Sequence, residues 1–99
     1  MIKKEIKYGI VGSGHLGNYH AQQLSQIKDV NLIGIYDISD KSALKFSKTH
    51  NIRVFKDVKG LYKSCDAVSI CTPASVHFQN AVDALNLNCH LFIEVVLSV

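Results

Sequence analysis

Short apolar segments alternate along the chain with segments of helical period. The apolar segments are rich in Val and Ile and only a few residues long, as expected of strands buried on both faces of a parallel sheet. Four strands are predicted at residues 6–11, 30–36, 67–71 and 90–96, and a shorter one at 54–55.

The segments between these strands have the apolar spacing of amphipathic helices. After the first strand, one helical face carries Leu16, His20, Leu24 and Ile27, and a later stripe carries Phe78, Ala81, Val82 and Leu85. Ser39 or Asp40 is a suitable N-cap for a helix that runs to about His50. Strands that alternate with helices, without hairpin signals, indicate βαβ units with right-handed crossovers.

Composition and charge limit the classes of function. The 99 residues are predicted to form one domain (1–99), and 47% hydrophobic residues with a single Pro exclude disorder. A net charge of +3 is low for a protein that binds a phosphate backbone. Two rows of lysines without interleaved aromatic residues are predicted to be solvated helix faces, so no nucleic-acid partner is expected. They are Lys41, Lys45, Lys48, Lys56, Lys59 and Lys63.

Cysteine spacing and hydropathy give further expectations. Cys65, Cys71 and Cys89 are odd in number and have no Cys-x-x-Cys spacing, and the five histidines lack metal-ligand spacing, so neither disulfides nor a metal is expected. No targeting signal precedes the first strand and no apolar run approaches about 18 residues, which predicts a cytoplasmic protein without a membrane partner. The apolar ending at 94–99 predicts a fragment, truncated before a sixth strand.

A glycine-rich segment joins the first strand to the first helix, where the motif G-x-G-x-x-G binds dinucleotides. Its residues are Gly12, Ser13, Gly14, His15, Leu16 and Gly17. Gly12 permits the tight turn, Gly14 lets a pyrophosphate approach the backbone, and Gly17 lets the helix pack close to the strand. Amides at the start of the helix bind the anion, with His15 contributing its amide rather than its ring. The predicted fold is therefore a Rossmann-type doubly wound parallel sheet of about five strands.

Asp37 lies twenty residues beyond Gly17, just after the second predicted strand. A carboxylate at this place accepts hydrogen bonds from both adenosine ribose hydroxyls. It also repels a 2′-phosphate, so NAD is predicted as the cofactor in preference to NADP. The alternative interpretation is that Asp37 only caps the helix that follows.

Three further segments carry a family resemblance. They read Asn18-Tyr19-His20-Ala21, Cys71-Thr72-Pro73-Ala74-Ser75-Val76-His77 and His90-Leu91-Phe92-Ile93-Glu94. With the glycine loop and Asp37, they make essentially the whole chain resemble the N-terminal domain of the glucose–fructose oxidoreductase/inositol dehydrogenase (Gfo/Idh/MocA) family. The T-P-x-x-x-H pattern is more specific than the glycine loop. Pro73 also ends the fourth strand at the carboxyl edge of the sheet, where ligands bind.

The resemblance implies roles for several residues. Thr72, Pro73 and His77 line the ribose and nicotinamide side of the cofactor, and Glu94 contacts its ribose as the first residue of the family's E-K-P motif. Here Val95 and Val96 follow, and valine supplies neither a proton nor a hydrogen bond. Either the site is degenerate or these residues are not the native continuation.

For two histidines, a purely structural role is an alternative to a role in the site. His77 is interpreted alternatively as a helix-start residue whose ring is satisfied by nearby backbone. His20, on the stripe that faces the core, is predicted to be a hydrogen-bonded packing residue.

The resemblance implies an NAD(P)-dependent oxidoreductase that acts on a CH–OH group of a sugar, polyol or cyclitol. Its small-molecule substrate would bind in a C-terminal domain absent from this chain, which therefore holds no catalytic residue and is expected to bind NAD without turnover. The alternative function is a non-catalytic, NAD-sensing module. A short-chain dehydrogenase is disfavoured because no Tyr-x-x-x-Lys pair is present. The oligomeric state is not predicted.

Overall fold

A computed structural model of the chain describes residues 5–72, 82–87 and 89–93. Strands and helices alternate from the first strand onwards, and residues 82–86 form a further helical segment. The elements are β1 (Ile6–Val11), α1 (His15–Leu24), β2 (Val30–Tyr36), α2 (Asp40–His50), β3 (Arg53–Val54), α3 (Val58–Ser64), β4 (Ala67–Ile70) and β5 (His90–Ile93).

In the described part of the chain the strands form one parallel sheet in the order β3-β2-β1-β4-β5. The central strand, β1, pairs Ile10 with Ile35 of β2 on one side and with Ser69 of β4 on the other. The chain builds outward from β1 to β3 and then returns across β1 to β4. Strand order therefore reverses between β1 and β4, and ligands of open α/β sheets bind in the crevice at such a switch point. The predicted doubly wound fold is confirmed.

Two hydrophobic clusters cover opposite faces of the sheet, because successive residues of a strand point to opposite sides. Ile10 and Ile35 pack with Ala21 of α1 and Phe46 of α2. The residues of the other cluster, which includes α3 and the 82–86 segment, are Val11, Phe55, Leu61, Tyr62, Cys65, Val68, Ile70, Ala84 and Cys89. Helices therefore flank both faces, as a doubly wound sheet requires.

The strand predictions hold with small changes at the ends. The bounds of β1 and β2 are those predicted, whereas β3 lies one residue earlier and β4 ends before Cys71. The last strand begins at residue 90 as predicted, and residues 94–96 lie outside the described residues.

The helix predictions are right for α2 and wrong in part for two apolar stripes. The Ser39 side chain caps α2 by accepting from the Ser42 amide at 3.2 Å. Helix α1 ends at Leu24, and a turn carries Ile27 off the stripe, leaving it 51% exposed. Leu85 is 61% exposed, because the 82–86 segment turns its smaller neighbour Ala84 into the core. Phe78 and Ala81 lie outside the described residues.

Each helix in the described part of the chain is too short or too polar to cross a bilayer.

Candidate functional site

The turn after β1 brings the glycine loop against the end of β4. The amide of Gly12 donates to the carbonyl of Tyr36 at 2.9 Å, which fixes the turn to β2. Gly12 has φ of +103°, and a Cβ there would lie 2.8 Å from the backbone of Cys71 and 3.1 Å from the Thr72 amide nitrogen. A side chain is therefore excluded both by backbone conformation and by space. Glycine at this position lets the two strand ends meet at the switch point.

The other two glycines of the motif have opposite surroundings. A Cβ on Gly17 would collide with the carbonyl oxygen of Gly12, so glycine lets α1 sit directly on the loop. Gly14 is exposed, and a Cβ built there meets nothing within 4 Å. The loop is thus tightly packed beneath the helix and open on its outer side, where a ligand can approach the backbone.

The first turn of α1 has amide donors without a side-chain cap. Its N-cap is Gly14, which makes no side-chain hydrogen bond, and the first turn holds no acidic residue. Helices α2 and α3 differ, because Ser39 and Asp57 cap them with side-chain oxygens. Uncapped amides at the positive end of a helix dipole form an anion site.

The carboxylate of Asp37 is bonded to the glycine loop. Its Oδ2 accepts from the Ser13 amide at 2.8 Å and from the Ser13 hydroxyl at 2.6 Å, and its Oδ1 accepts from the Ser39 amide at 2.8 Å. Burial opposes ionisation, but the hydrogen bonds from Ser13 and Ser39 outweigh it and hold the pKa of Asp37 below its ordinary value. The group is therefore an anion at neutral pH.

These contacts exclude Asp37 as the cap of α2 and limit how a ribose could bind to it. The N-cap of α2 is Ser39, so the interpretation of Asp37 as the helix cap is wrong. A carboxylate has about four acceptor positions, and three of them are filled here. A ribose that bonds Asp37 through both hydroxyls would therefore have to replace one of these three donors, of which the Ser13 hydroxyl is the one that can rotate away.

A second side-chain network supports the loop and was missed from the sequence. The side-chain nitrogen of Asn18, Nδ2, donates to the backbone carbonyls of Ser13 and Gly14 at 3.2 and 3.1 Å. Its oxygen lies 2.7 Å from Nε2 of His50, whose ring packs on Phe46 at 4.4 Å between centroids. Burial lowers the pKa of His50. The available signal was Asn18 itself, because asparagine in a helix commonly bonds nearby backbone.

A third network lies below α1. Nδ1 of His20 is 3.1 Å from the hydroxyl of Ser69, which also bonds the Tyr8 hydroxyl at 2.8 Å. The same nitrogen is 3.8 Å from Sγ of Cys71. Ser69 is 1% exposed, so His20 satisfies a buried hydroxyl as a packing residue would.

The structure brings several of the predicted site residues together. Gly12, Ser13 and Gly14 form the turn, Asp37 bonds to it, and His15, Leu16 and Gly17 open α1 with the His15 side chain exposed. Thr72 is half-buried beside Gly12. Pro73, His77 and Glu94 lie outside the described residues. Among the residues that are described, no three metal-ligating side chains cluster together.

Fold and loop together define a Rossmann-type dinucleotide-binding domain. The Gfo/Idh/MocA family model, whose description is "Oxidoreductase family, NAD-binding Rossmann fold", matches residues 6–95. The chain belongs to this family.

Individual relatives agree with the family match. Over 89% of its own length, the chain is 34% identical to glucose-6-phosphate 3-dehydrogenase of Bacillus subtilis. Over 90% of its own length, it is 37% identical to UDP-N-acetylglucosamine 3-dehydrogenase of Acidithiobacillus ferrooxidans. It spans 25% and 28% of those two proteins. A structure of scyllo-inositol dehydrogenase from Lactobacillus casei, with bound NAD(H) and scyllo-inositol, is 32% identical with a TM-score of 0.82. That match covers 91% of this chain and 28% of the other.

Proposed function

We propose that the chain binds NAD at the carboxyl edge of its sheet, as the N-terminal domain of a two-domain oxidoreductase. The observation that carries the proposal is the uncapped start of α1 beside an open Gly14, with an ionised Asp37 at the same loop. A diphosphate fits the first feature and a ribose diol fits the second. NAD supplies a hydride acceptor, while the domain binds and orients it.

Each part of the dinucleotide has its own group of residues. The amides from Gly14 to Gly17, at the start of α1, hold the diphosphate, and Asp37 accepts from the adenosine ribose. The resemblance assigns the remaining ribose and nicotinamide contacts to residues later in the chain. They are Thr72, Pro73, His77 and Glu94.

The preference for NAD over NADP follows from the charge of Asp37. Its hydrogen bonds favour the ionised form, and a 2′-phosphate beside a fixed carboxylate is repelled. Ser13 and Ser39 also hold the carboxylate in place, so it cannot swing away without losing three hydrogen bonds. The fixed carboxylate therefore supports a preference for NAD over NADP.

A pair of titrations with NAD+ and NADP+ tests the cofactor and its specificity. For the unmodified chain we expect calorimetry to give at least about tenfold tighter binding of NAD+. Asp37→Ser removes the repulsion and should lower that ratio to near one or below. Asp40→Ser, which removes an exposed carboxylate three residues away, is the matched control and should leave the ratio unchanged. Absence of NAD+ binding by the unmodified chain would refute the proposal.

The whole protein is proposed to oxidise a CH–OH group of a sugar, polyol or cyclitol. The relatives described above are dehydrogenases of sugar derivatives and of an inositol, and the chain spans about a quarter of two of them. The substrate residues would lie in the other domain, so the isolated chain is proposed to bind NAD without turnover. Robust reduction of NAD+ by the purified chain with sugars and polyols would contradict this.

A non-catalytic, NAD-sensing module is the second candidate, because Val95 stands where the family's motif has lysine. Val95→Lys in the intact protein separates the two. Recovery of turnover identifies an impaired oxidoreductase, whereas an NAD-dependent partner contact without turnover identifies a sensor.

A further inference from the structure

We propose that Asn18 is a positioning residue for the diphosphate-binding loop and that His50 holds Asn18 in place. The inference rests on the proposed function, since the loop has to bind a dinucleotide for its positioning to matter. It concerns residues outside the glycine motif and outside the ribose-binding carboxylate. Both are half-buried, and they are 32 positions apart in sequence.

The hydrogen bonds of Asn18 fix the orientation of its side chain. Its Nδ2 must face the two loop carbonyls, because carbonyl oxygens only accept. Oδ1 is then left as the acceptor that faces His50, and Nε2 of His50 must carry a proton. Every polar atom of the Asn18 side chain thus has a partner, so the side-chain amide is held in one orientation.

The Asn18 side chain orients the loop amides through the two carbonyls that it holds. A trans peptide group is planar, with its C=O and N–H pointing in opposite directions. The Ser13 carbonyl shares a peptide group with the Gly14 amide, and the Gly14 carbonyl shares one with the His15 amide. The Gly14 carbonyl also accepts from the backbone amide of Asn18 at 3.0 Å, the first bond of α1, so the side chain reinforces a carbonyl that the helix already holds and adds the hold on the Ser13 carbonyl. With both carbonyls turned towards Asn18, both N–H groups point away from it. Two donors are set for an anion before it arrives, and two carbonyls that would repel it are turned aside.

The ring of His50 is itself immobilised. It is the last residue of α2 and packs on Phe46, which is 2% exposed and belongs to the core under α1 and α2. The loop is consequently tied to α2 through Asn18 and to the end of β2 through Ser13 and Asp37. Both ties lead to the same β2–α2 unit, which holds the ribose-binding carboxylate in register with the diphosphate donors.

The test compares ligands that contain or lack a diphosphate. Asn18→Leu keeps the branched shape of the side chain and favours the helix but removes both donors and the acceptor. We expect this variant to bind NAD+ and ADP-ribose about tenfold more weakly, while its affinity for adenosine, measured by NMR titration, stays unchanged. His50→Leu should give a smaller loss, and His50→Gln, whose amide can donate to Asn18, should restore most of it.

Gln23→Leu is the matched control, because it makes the same kind of change on an exposed position of α1. It should leave all three affinities unchanged. Equal affinity of Asn18→Leu and the unmodified chain for ADP-ribose would overturn the inference while leaving the proposed function intact. An equal loss for adenosine would also overturn it, since this would reveal general destabilisation. Failure of the unmodified chain to bind NAD+ removes the proposed function itself.

Discussion

At the scale of single residues, Asp37 has two tasks. It presents a negative charge at the carboxyl edge of the sheet, and it ties the glycine loop to β2 through Ser13. The same hydrogen bonds that hold the carboxylate also stabilise its charge. In the proposed complex, a ribose diol would therefore compete with the Ser13 hydroxyl for one acceptor position.

Removal of the Ser13 hydroxyl should raise the pKa of Asp37. Ser13→Ala deletes one donor to the ionised carboxylate and keeps the donor amide, so the pKa moves back towards its ordinary value. Carboxyl carbon shifts, followed through an acid titration by NMR, measure the change. Ser13→Thr keeps a hydroxyl and serves as the control. An unchanged pKa in Ser13→Ala would show that the hydroxyl bond is absent in solution.

The position of Asp37 was predictable, but its partners were not. Spacing from the glycine loop and the end of an apolar strand locate the residue, since both are patterns along the chain. The bonds from Ser13 and between Asn18 and His50 depend on rotamers and on which helices become neighbours. Nothing in local periodicity encodes a contact between residues 18 and 50.

At the scale of elements, the start of α1 is defined by close packing on one side and open space on the other. Gly17 rests on the Gly12 carbonyl, and Gly14 faces open space. Helix propensity alone would favour alanine at position 17 by about 1 kcal/mol. The collision with backbone decides otherwise, because that oxygen cannot move without changing the turn.

Two alanine substitutions should therefore differ in their effect on stability. Gly17→Ala is expected to lower the free energy of unfolding by about 1–3 kcal/mol, in the range of overpacked sites. Gly14→Ala has extended backbone with φ of −75° and no neighbour within 4 Å, so its change should stay within about 0.5 kcal/mol. Urea unfolding of both variants measures this. Equal stabilities would contradict the close contact between α1 and the loop.

The helical stripes illustrate where element prediction fails. Periodicity correctly identified a helix before Ile27 and another before Leu85, yet both side chains are exposed. A period gives the faces of a helix but not its last residue, and α1 ends three residues before Ile27. In the 82–86 segment, the buried face includes Ala84, a small residue that carries little weight in a hydrophobic pattern.

At the scale of the whole molecule, topology follows from the sequence more completely than any site contact. Short β-branched strands separated by helices permit few arrangements once crossovers are right-handed. The order β3-β2-β1-β4-β5 places the ends of β1 and β4 side by side, and this is why Gly12 touches Cys71 and Thr72. The crevice is thus a consequence of the fold, whereas the side-chain hydrogen bonds that shape its loop depend on these particular residues.

Stability of the whole domain should be greatest between about pH 6.5 and 9, the ordinary values of histidine and thiol groups. The pKa of His50 and that of Asp37 are lowered by folding, so the unfolded chain binds more protons and stability falls as pH decreases through their ranges. Burial raises the pKa of Cys65 to about 12 and that of Cys89 to about 11, so stability falls as pH rises above 9. Urea unfolding across this range should give a plateau with two declining sides. His50→Gln should flatten the decline just below pH 6.5. Cys65→Ala should flatten the decline above pH 9. Declines of undiminished slope in these variants would show that other groups are responsible.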